Sequence, residues 1–90
     1  MIIVAGHLRV ARRDRDAFLA RSREAVALAR GAAGCEDFVV AADPLDPERV
    51  NVYERWSDRA ALQAFRGEGP DAALTEVILS ADVREFEVSQ

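Results

Sequence analysis

Residues 34–65 read GCEDFVVAADPLDPERVNVYERWSDRAALQAF, and this stretch decides the fold. Its runs of branched and aromatic residues at 38–42 and 50–56 are typical of strands. The segment between them, residues 43–49, contains two prolines, which cannot donate to a strand ladder, so it is predicted to be the turn of a hairpin. A segment rich in alanine, at 60–65, follows the second strand. The stretch therefore predicts strand, turn, strand and helix, in that order.

The first third of the chain predicts one strand and one helix ahead of this hairpin. Residues 2–10 (IIVAGHLRV) are rich in branched apolar side chains and short enough for a strand. A helix is predicted to begin near Asp14, a candidate N-cap, and to end in the glycine-containing segment 31–34. Its apolar stripe recurs at intervals of three, four and seven residues: Phe18, Leu19, Ser22, Ala25, Val26 and Ala29.

The second helix is predicted from its cap and its apolar positions. Ser57 and Asp58 are candidate caps, and the helix carries Leu62 and Phe65. It is expected to break at the GEGP run of residues 67–70, after which residues 71–78 resume helical spacing.

A fourth strand completes the predicted order. Residues 80–88 alternate between apolar and polar side chains, as a half-buried strand does. The order β-α-β-β-α-β predicts an α+β, ferredoxin-like fold, with a four-stranded antiparallel sheet and both helices on one face. Residues 1–90 are expected to form a single domain.

Both faces of the predicted sheet are largely apolar. Alternation places apolar residues on each face of the first strand: Ile2, Val4, Leu8 and Val10 on one, Ile3 and Ala5 on the other. A face exposed to water would instead carry polar side chains. The face that the helices leave uncovered is therefore expected to meet a second copy of the chain, in a homodimer with the two sheets face to face.

Composition excludes several partners and reactions. The net charge is −4 and the charges are interspersed, so neither a nucleic acid nor a membrane surface is an expected partner. All twelve basic residues are arginines, which excludes Schiff-base chemistry because it requires a lysine amine. Cys35 is the single cysteine, so an intrachain disulfide is excluded. Without a basic leader or an apolar run of about 20 residues, the chain is expected to be cytoplasmic.

The run VNVYERW, which ends in Glu54-x-Trp56 and leads into the alanine-rich helix, resembles the antibiotic biosynthesis monooxygenase family. The resemblance implies a dimeric α/β barrel. It also implies an enzyme that oxidises a quinol, phenol or anthrone-type aromatic with dioxygen and binds no cofactor. The expected ligand is accordingly a small aromatic molecule.

His7 is the first candidate for a catalytic group. Histidine is the side chain whose ordinary pKa lies near neutrality, which suits a general base, and His7 is the one histidine of the chain. In the resemblance, haem-degrading members carry an asparagine at about this position. The alternative is a structural histidine that is held by hydrogen bonds at the end of a strand.

The remaining candidates come from the third strand and the second helix. Asn51 and Tyr53 are candidate hydrogen-bond donors to a substrate oxygen, and they are expected to share a pocket with His7. Phe65 is expected to pack over that pocket, and Trp56 and Arg9 complete the predicted substrate-binding residues: Arg9, Trp56 and Phe65. The alternative for Trp56, and for Glu54 on the same face, is that they determine the fold and the dimer.

Departures from the family leave rival functions open. Many members have a histidine where this chain has Phe65, and another shortly afterwards, and both are missing here. No metal-spaced cluster of histidine, cysteine and aspartate occurs, so no metal site is expected. The rival to a monooxygenase is a non-catalytic dimeric barrel that binds a small aromatic ligand. A third reading is an isomerase for a phosphorylated ketone, although no cluster of arginines or glycines is placed to receive a phosphate.

Overall fold

The protein is an α+β unit built on one antiparallel sheet of four strands. A computed structural model describes residues 1–67 and 75–89. The strand order is β2-β3-β1-β4, so the first and third strands are central. The elements are β1 (Ile2–Val10), a short 3-10 turn (Arg12–Asp14), α1 (Arg15–Arg30), β2 (Cys35–Ala42), β3 (Arg49–Trp56), α2 (Arg59–Arg66) and β4 (Ile78–Glu87). This is the predicted ferredoxin-like order, which is confirmed.

β1 has the predicted bounds, whereas the other three strands begin earlier than predicted, β3 by one residue, at Arg49. β2 begins at Cys35, three residues earlier than predicted, because Cys35 already pairs with Trp56 across the hairpin. Ile78 was predicted to end a helix, and that assignment is wrong: it begins β4 and pairs with Val10 beyond a register shift. Of the predicted renewed helix, Thr75 and Glu76 are helical in the structure, and residues 68–74 of the break and helix lie outside the described residues.

The two predicted caps behave differently. Asp58 caps α2 because its Oδ1 accepts a hydrogen bond of 2.8 Å from the backbone N–H of Ala61. Asp14 stands at the N-cap of α1, but its side chain makes no capping hydrogen bond there. No helix in the described part of the chain has the length and apolar character needed to cross a bilayer.

One face of the sheet lies under the helices and carries the core; we call it the covered face. The even-numbered residues of β1 and β3 point to it, and Ile2, Val4 and Val50 there are almost fully buried. α1 supplies Phe18 and Ala29 and α2 supplies Leu62 from above. Burying apolar side chains at these positions is what holds the two layers together.

The opposite face, which we call the open face, carries the odd-numbered residues of the central strands. Its side chains are half-buried or exposed, including several apolar ones: Ile3, Ala5, Val39, Ala41 and, on β4, the half-exposed Phe86. Among the described residues, no helix is packed against this face.

Gly6 sets the spacing of the two strands β1 and β4. Its φ of 155° is accessible mainly to glycine, and a Cβ built there would overlap the backbone carbonyl of Asp82 on β4. The absence of a side chain therefore lets β4 approach β1 at the middle of the sheet.

We expect Gly6→Ala to lower the free energy of unfolding by on the order of 3 kcal/mol, because it adds both backbone strain and an overlap with backbone atoms that cannot move aside. Urea unfolding followed by circular dichroism measures this change. Gly31→Ala is the matched control, since Gly31 is helical and its added Cβ would meet no atom closer than 3.7 Å. Equal stabilities for the two variants would contradict the close approach of β4.

Candidate functional site

Three aromatic rings form a cluster on the covered face. The ring of Trp56 lies 5.3 Å from that of Phe65 and 6.5 Å from that of Phe38, measured between centroids. Phe38 and Phe65 are 5.8 Å apart in an edge-to-face arrangement. Trp56 is fully buried, whereas Phe65 on α2 is only half-buried. Phe65 thus presents aromatic surface at the margin of the core, where a flat molecule can stack.

Glu54 is the charged group of this cluster. It lies on β3 two residues before Trp56, is 9% exposed, and its Oε1 accepts a hydrogen bond of 2.9 Å from the indole Nε1 of Trp56. Burial raises the pKa of Glu54, while the indole hydrogen bond and the charge of Arg66 oppose that rise. A carboxyl group with a raised pKa binds a proton more readily than an exposed one, so its carboxylate is the stronger base.

The β4 side of the covered face, beside Glu54, is polar and partly exposed. Val4 on β1 pairs with Glu54 on one side and with Glu85 of β4 on the other, so the three side chains lie on the same face. Glu85 is exposed although this face carries the core. In the next row, Val52 and Val83 flank Gly6 and are only half-buried. The core therefore closes over β2 and β3, whereas on the β4 side Arg59 and Arg66 of α2 reach Glu85 in ion pairs of 3.5 and 3.1 Å.

His7 lies on the open face, away from this cluster. It is directly opposite Asn51 on β3 and Asp82 on β4, and it is half-buried. Phe65 packs on the other side of the sheet, against Trp56 and Phe38. The predicted pocket, in which Phe65 covers His7, is therefore wrong, because the sheet itself separates the two residues.

Asn51 lies next to His7, as predicted, but its amide is already engaged. Its Nδ2 donates to Asp43 Oδ1 at 3.0 Å, and its Oδ1 accepts from Arg49 Nε at 2.7 Å. The bond from Asn51, together with backbone N–H groups of the turn, holds the pKa of Asp43 at about 2. Asn51 thus belongs to a polar cluster that shapes the hairpin turn.

Two other predicted site residues are also occupied by neighbours. Arg9 Nη1 forms an ion pair of 2.9 Å with Asp46 Oδ2 in the same turn, at the opposite end of β1 from Trp56. The Tyr53 side chain acts on its neighbour Arg55 and raises the pKa of that guanidinium. Neither residue touches the aromatic cluster, so the predicted site residues divide between the two faces.

A groove of about 250 Å³ lies elsewhere, between α1 and β2. Its polar lining is provided by Arg23, Arg30 and Ser22, and Arg30 Nε donates to the backbone oxygen of Phe38 at 2.9 Å. The lining contains neither a carboxylate nor a histidine, so it offers no acid or base. Among the described residues, no group of three histidine, cysteine or acidic side chains is placed to hold a metal ion.

Comparisons with known proteins agree on the fold. The family model described as antibiotic biosynthesis monooxygenase matches residues 1–70. A conserved protein from Methanosarcina mazei superposes with a TM-score of 0.86 at 17% identity, covering 98% of this chain and 92% of that one. A Mycobacterium tuberculosis protein gives a TM-score of 0.82 at 20% identity, covering 99% and 95%.

A further solved structure, named antibiotic biosynthesis monooxygenase, gives a TM-score of 0.82 at 23% identity and covers all of both chains. Likeness at these identities establishes the fold and leaves the reaction to be argued from the site. A search of curated proteins finds no match.

We expect Asn51→Ala to raise the pKa of Asp43 from about 2 towards its ordinary value of 3.8, since the amide hydrogen bond is the largest cause of the shift. A folded-state pKa below the unfolded one means that these contacts stabilise the fold above about pH 4, and that the stabilisation is lost as the pH falls towards 2. An NMR titration of the Asp43 carboxyl measures the change.

Tyr53→Phe is the control for this titration, because it alters the same strand and face without touching Asp43. An Asp43 pKa that stayed at about 2 in Asn51→Ala would show that the turn does not depend on Asn51.

Proposed function

This chain belongs to the antibiotic biosynthesis monooxygenase family, and we propose that it oxidises a flat phenol, quinol or anthrone-type aromatic with dioxygen. No bound cofactor takes part in the proposed reaction. The observation that carries the proposal is the half-buried ring of Phe65 beside Trp56, next to a buried carboxylate on the same face. Aromatic rings bind a flat substrate by stacking, and a nearby carboxylate gives that surface an acid–base group.

The chemistry requires only the substrate and dioxygen. An anthrone-type CH₂ group first loses a proton to a base, and the resulting carbanion passes one electron to dioxygen. The carbon radical and superoxide combine into a C–O bond, and the peroxide takes up the proton. Loss of the second C–H proton then breaks the O–O bond, and the departing hydroxide leaves as water. In balance, CH₂ and O₂ become C=O and H₂O.

The protein's part in this reaction is to position the substrate and to exclude water. Stacking against Phe65 would hold the ring in one orientation, which turns a bimolecular proton transfer into a local step. Apolar surroundings also leave the electron-rich anion poorly solvated, so it reacts more readily with dioxygen.

The open face takes a second copy of the chain in this proposal. The half-exposed Phe86 and its neighbour Ile3 give that face an apolar surface which a monomer would leave in water. A two-fold arrangement of sheets buries both copies of the surface at once. His7 would then lie within the dimer.

We expect oxygen uptake above the autoxidation rate when purified, metal-free protein is offered reduced quinols and anthrones in an oxygen electrode. Phe65→Leu should raise KM about tenfold with a smaller effect on kcat, because leucine fills the core but cannot stack. Leu28→Ala is the control, since Leu28 is 62% exposed on α1.

Oxygen uptake equal to that of the buffer blank for every substrate would overturn the proposed enzymatic function. If the same aromatic molecules nevertheless bound to the protein and Phe65→Leu weakened that binding, the chain would be a binding module of the kind predicted as the rival. The two functions are therefore separated by one set of proteins and ligands.

We expect Phe86→Glu to convert a dimer into a monomer, because it places a charge in the proposed contact between sheets. Light scattering after size exclusion measures the mass. Leu28→Glu, a matched change on an exposed helical position, should leave the dimer intact. A Phe86→Glu protein that kept the dimer mass would place the interface elsewhere.

A further inference from the structure

We propose that Glu54 is the catalytic base of this chain, the group that takes the proton from the bound aromatic molecule. This inference rests on the proposed function and names the residue that carries its first step. The arguments come from the hydrogen bonding of the carboxyl group, from its surroundings and from its position relative to Phe65.

The two oxygens of Glu54 are in different situations. Oε1 accepts the hydrogen bond from Trp56 Nε1, which fixes the orientation of the carboxyl group. Oε2 receives no hydrogen bond from the described residues. Within the described part of the chain, no fully sealed side-chain oxygen lacks a partner, so Oε2 keeps some contact with solvent although Glu54 is only 9% exposed. One oxygen is therefore held by Trp56, and we assign the other to the substrate proton.

The groups packed around Glu54 determine how strongly its carboxylate binds a proton. Desolvation by the core raises its pKa, the indole of Trp56 and the charge of Arg66 on α2 lower it, and the charge of Glu85 on β4 raises it again. On β2, Cys35 is the titratable neighbour whose own pKa responds to Glu54. α1 contributes Val26 and Ala29 to this core, and its Arg30 donates to the backbone oxygen of Phe38. A carboxyl group whose pKa is raised binds a proton more readily than an exposed one, which makes its carboxylate the stronger base.

Position favours Glu54 over His7. Glu54 shares the covered face with Trp56, whose ring lies against Phe65, so a molecule stacked on Phe65 is on the correct side of the sheet. His7 faces the opposite way, towards the surface that the second subunit is proposed to cover. A base at His7 would require the substrate to bind there, where no aromatic cluster is present among the described residues.

Glu54 is used and restored within one turnover. Its carboxylate takes the first proton from the substrate and becomes the neutral acid, which gives that proton to the peroxide once the C–O bond has formed. It then takes the second C–H proton as the O–O bond breaks, and passes it to the departing hydroxide to form water. The oxidant is dioxygen and the electrons come from the substrate.

The test is Glu54→Gln, which keeps the size of the side chain and an oxygen for the Trp56 indole but removes the basic carboxylate. We expect kcat to fall about 100-fold with KM little changed, and the acid limb of the pH–rate profile to disappear. The fold should keep its stability, because burying a neutral amide costs less free energy than burying a carboxylate. Glu24→Gln is the matched control, since Glu24 is exposed on α1.

His7→Ala is the discriminating arm of this experiment. A loss of activity in His7→Ala, with full activity and an unchanged pH profile in Glu54→Gln, would overturn the assignment and return the base to His7. Loss in Glu54→Gln, with its acid limb absent and its fold intact, would establish it.

A binding measurement separates failure of this inference from failure of the proposed function. 4-Nitrophenol reports its own protonation by its absorption band, and it needs no oxygen. We expect the band of the bound molecule to shift towards that of the phenolate with the natural protein and to remain that of the phenol with Glu54→Gln. Equal bands in both proteins would overturn the role of Glu54 even if oxygen were consumed. A shift without oxygen uptake would leave a proton-accepting site in a protein that is not an oxygenase.

Discussion

The pleat of the two central strands is the constraint on which the rest of the structure depends. Along β1 and β3, consecutive side chains point to opposite faces, and the direct pairing of Ile2 with Trp56 and of His7 with Asn51 locks both strands in one register. A shift of a single residue would exchange the core for the open face. The register therefore determines both which side chains each face carries and which of them are buried. A change of register would change both at once.

The buried Glu54 has to be explained within that constraint. A carboxylate on a core face costs free energy unless it is hydrogen-bonded, and here one bond from Trp56 offsets part of that cost. Arg66, whose charge lowers the pKa of Glu54, forms an ion pair of 3.1 Å with Glu85 and lies at the exposed edge. A residue chosen for stability alone at this position would be apolar, as Val50 and Val52 are on the same strand. Our proposal explains this departure by giving Glu54 a role in the reaction.

The sequence predicts the order of elements well because each element has its own period, its cap or its prolines, as Asp58 illustrates. It fails at Ile78, where an apolar residue suits a helix and a strand equally and only pairing with Val10 decides. The faces are harder still. With both sides of β1 apolar, periodicity does not reveal which side the helices cover, so the sequence predicts one pocket for His7 and Phe65. The sequence does contain one signal of a functional residue, and it is Glu54. This residue is a carboxylate on a strand face whose other side chains, Val50, Val52 and Trp56, are apolar.

A small domain gains from dividing its two faces in this way. Ninety residues enclose too little volume for a deep pocket within one subunit's core, so our proposal places the site at the margin of that core, where Phe65 is half-buried. If a second subunit covers the open face, the sheet is supported from below, and the β4 side of the covered face can stay polar and partly exposed at less cost in stability. In this proposal the dimer surface and the site lie on opposite faces of the same sheet, so one register of the strands determines both. The hydrogen bond between Asn51 and Asp43 in the hairpin turn helps to fix that register.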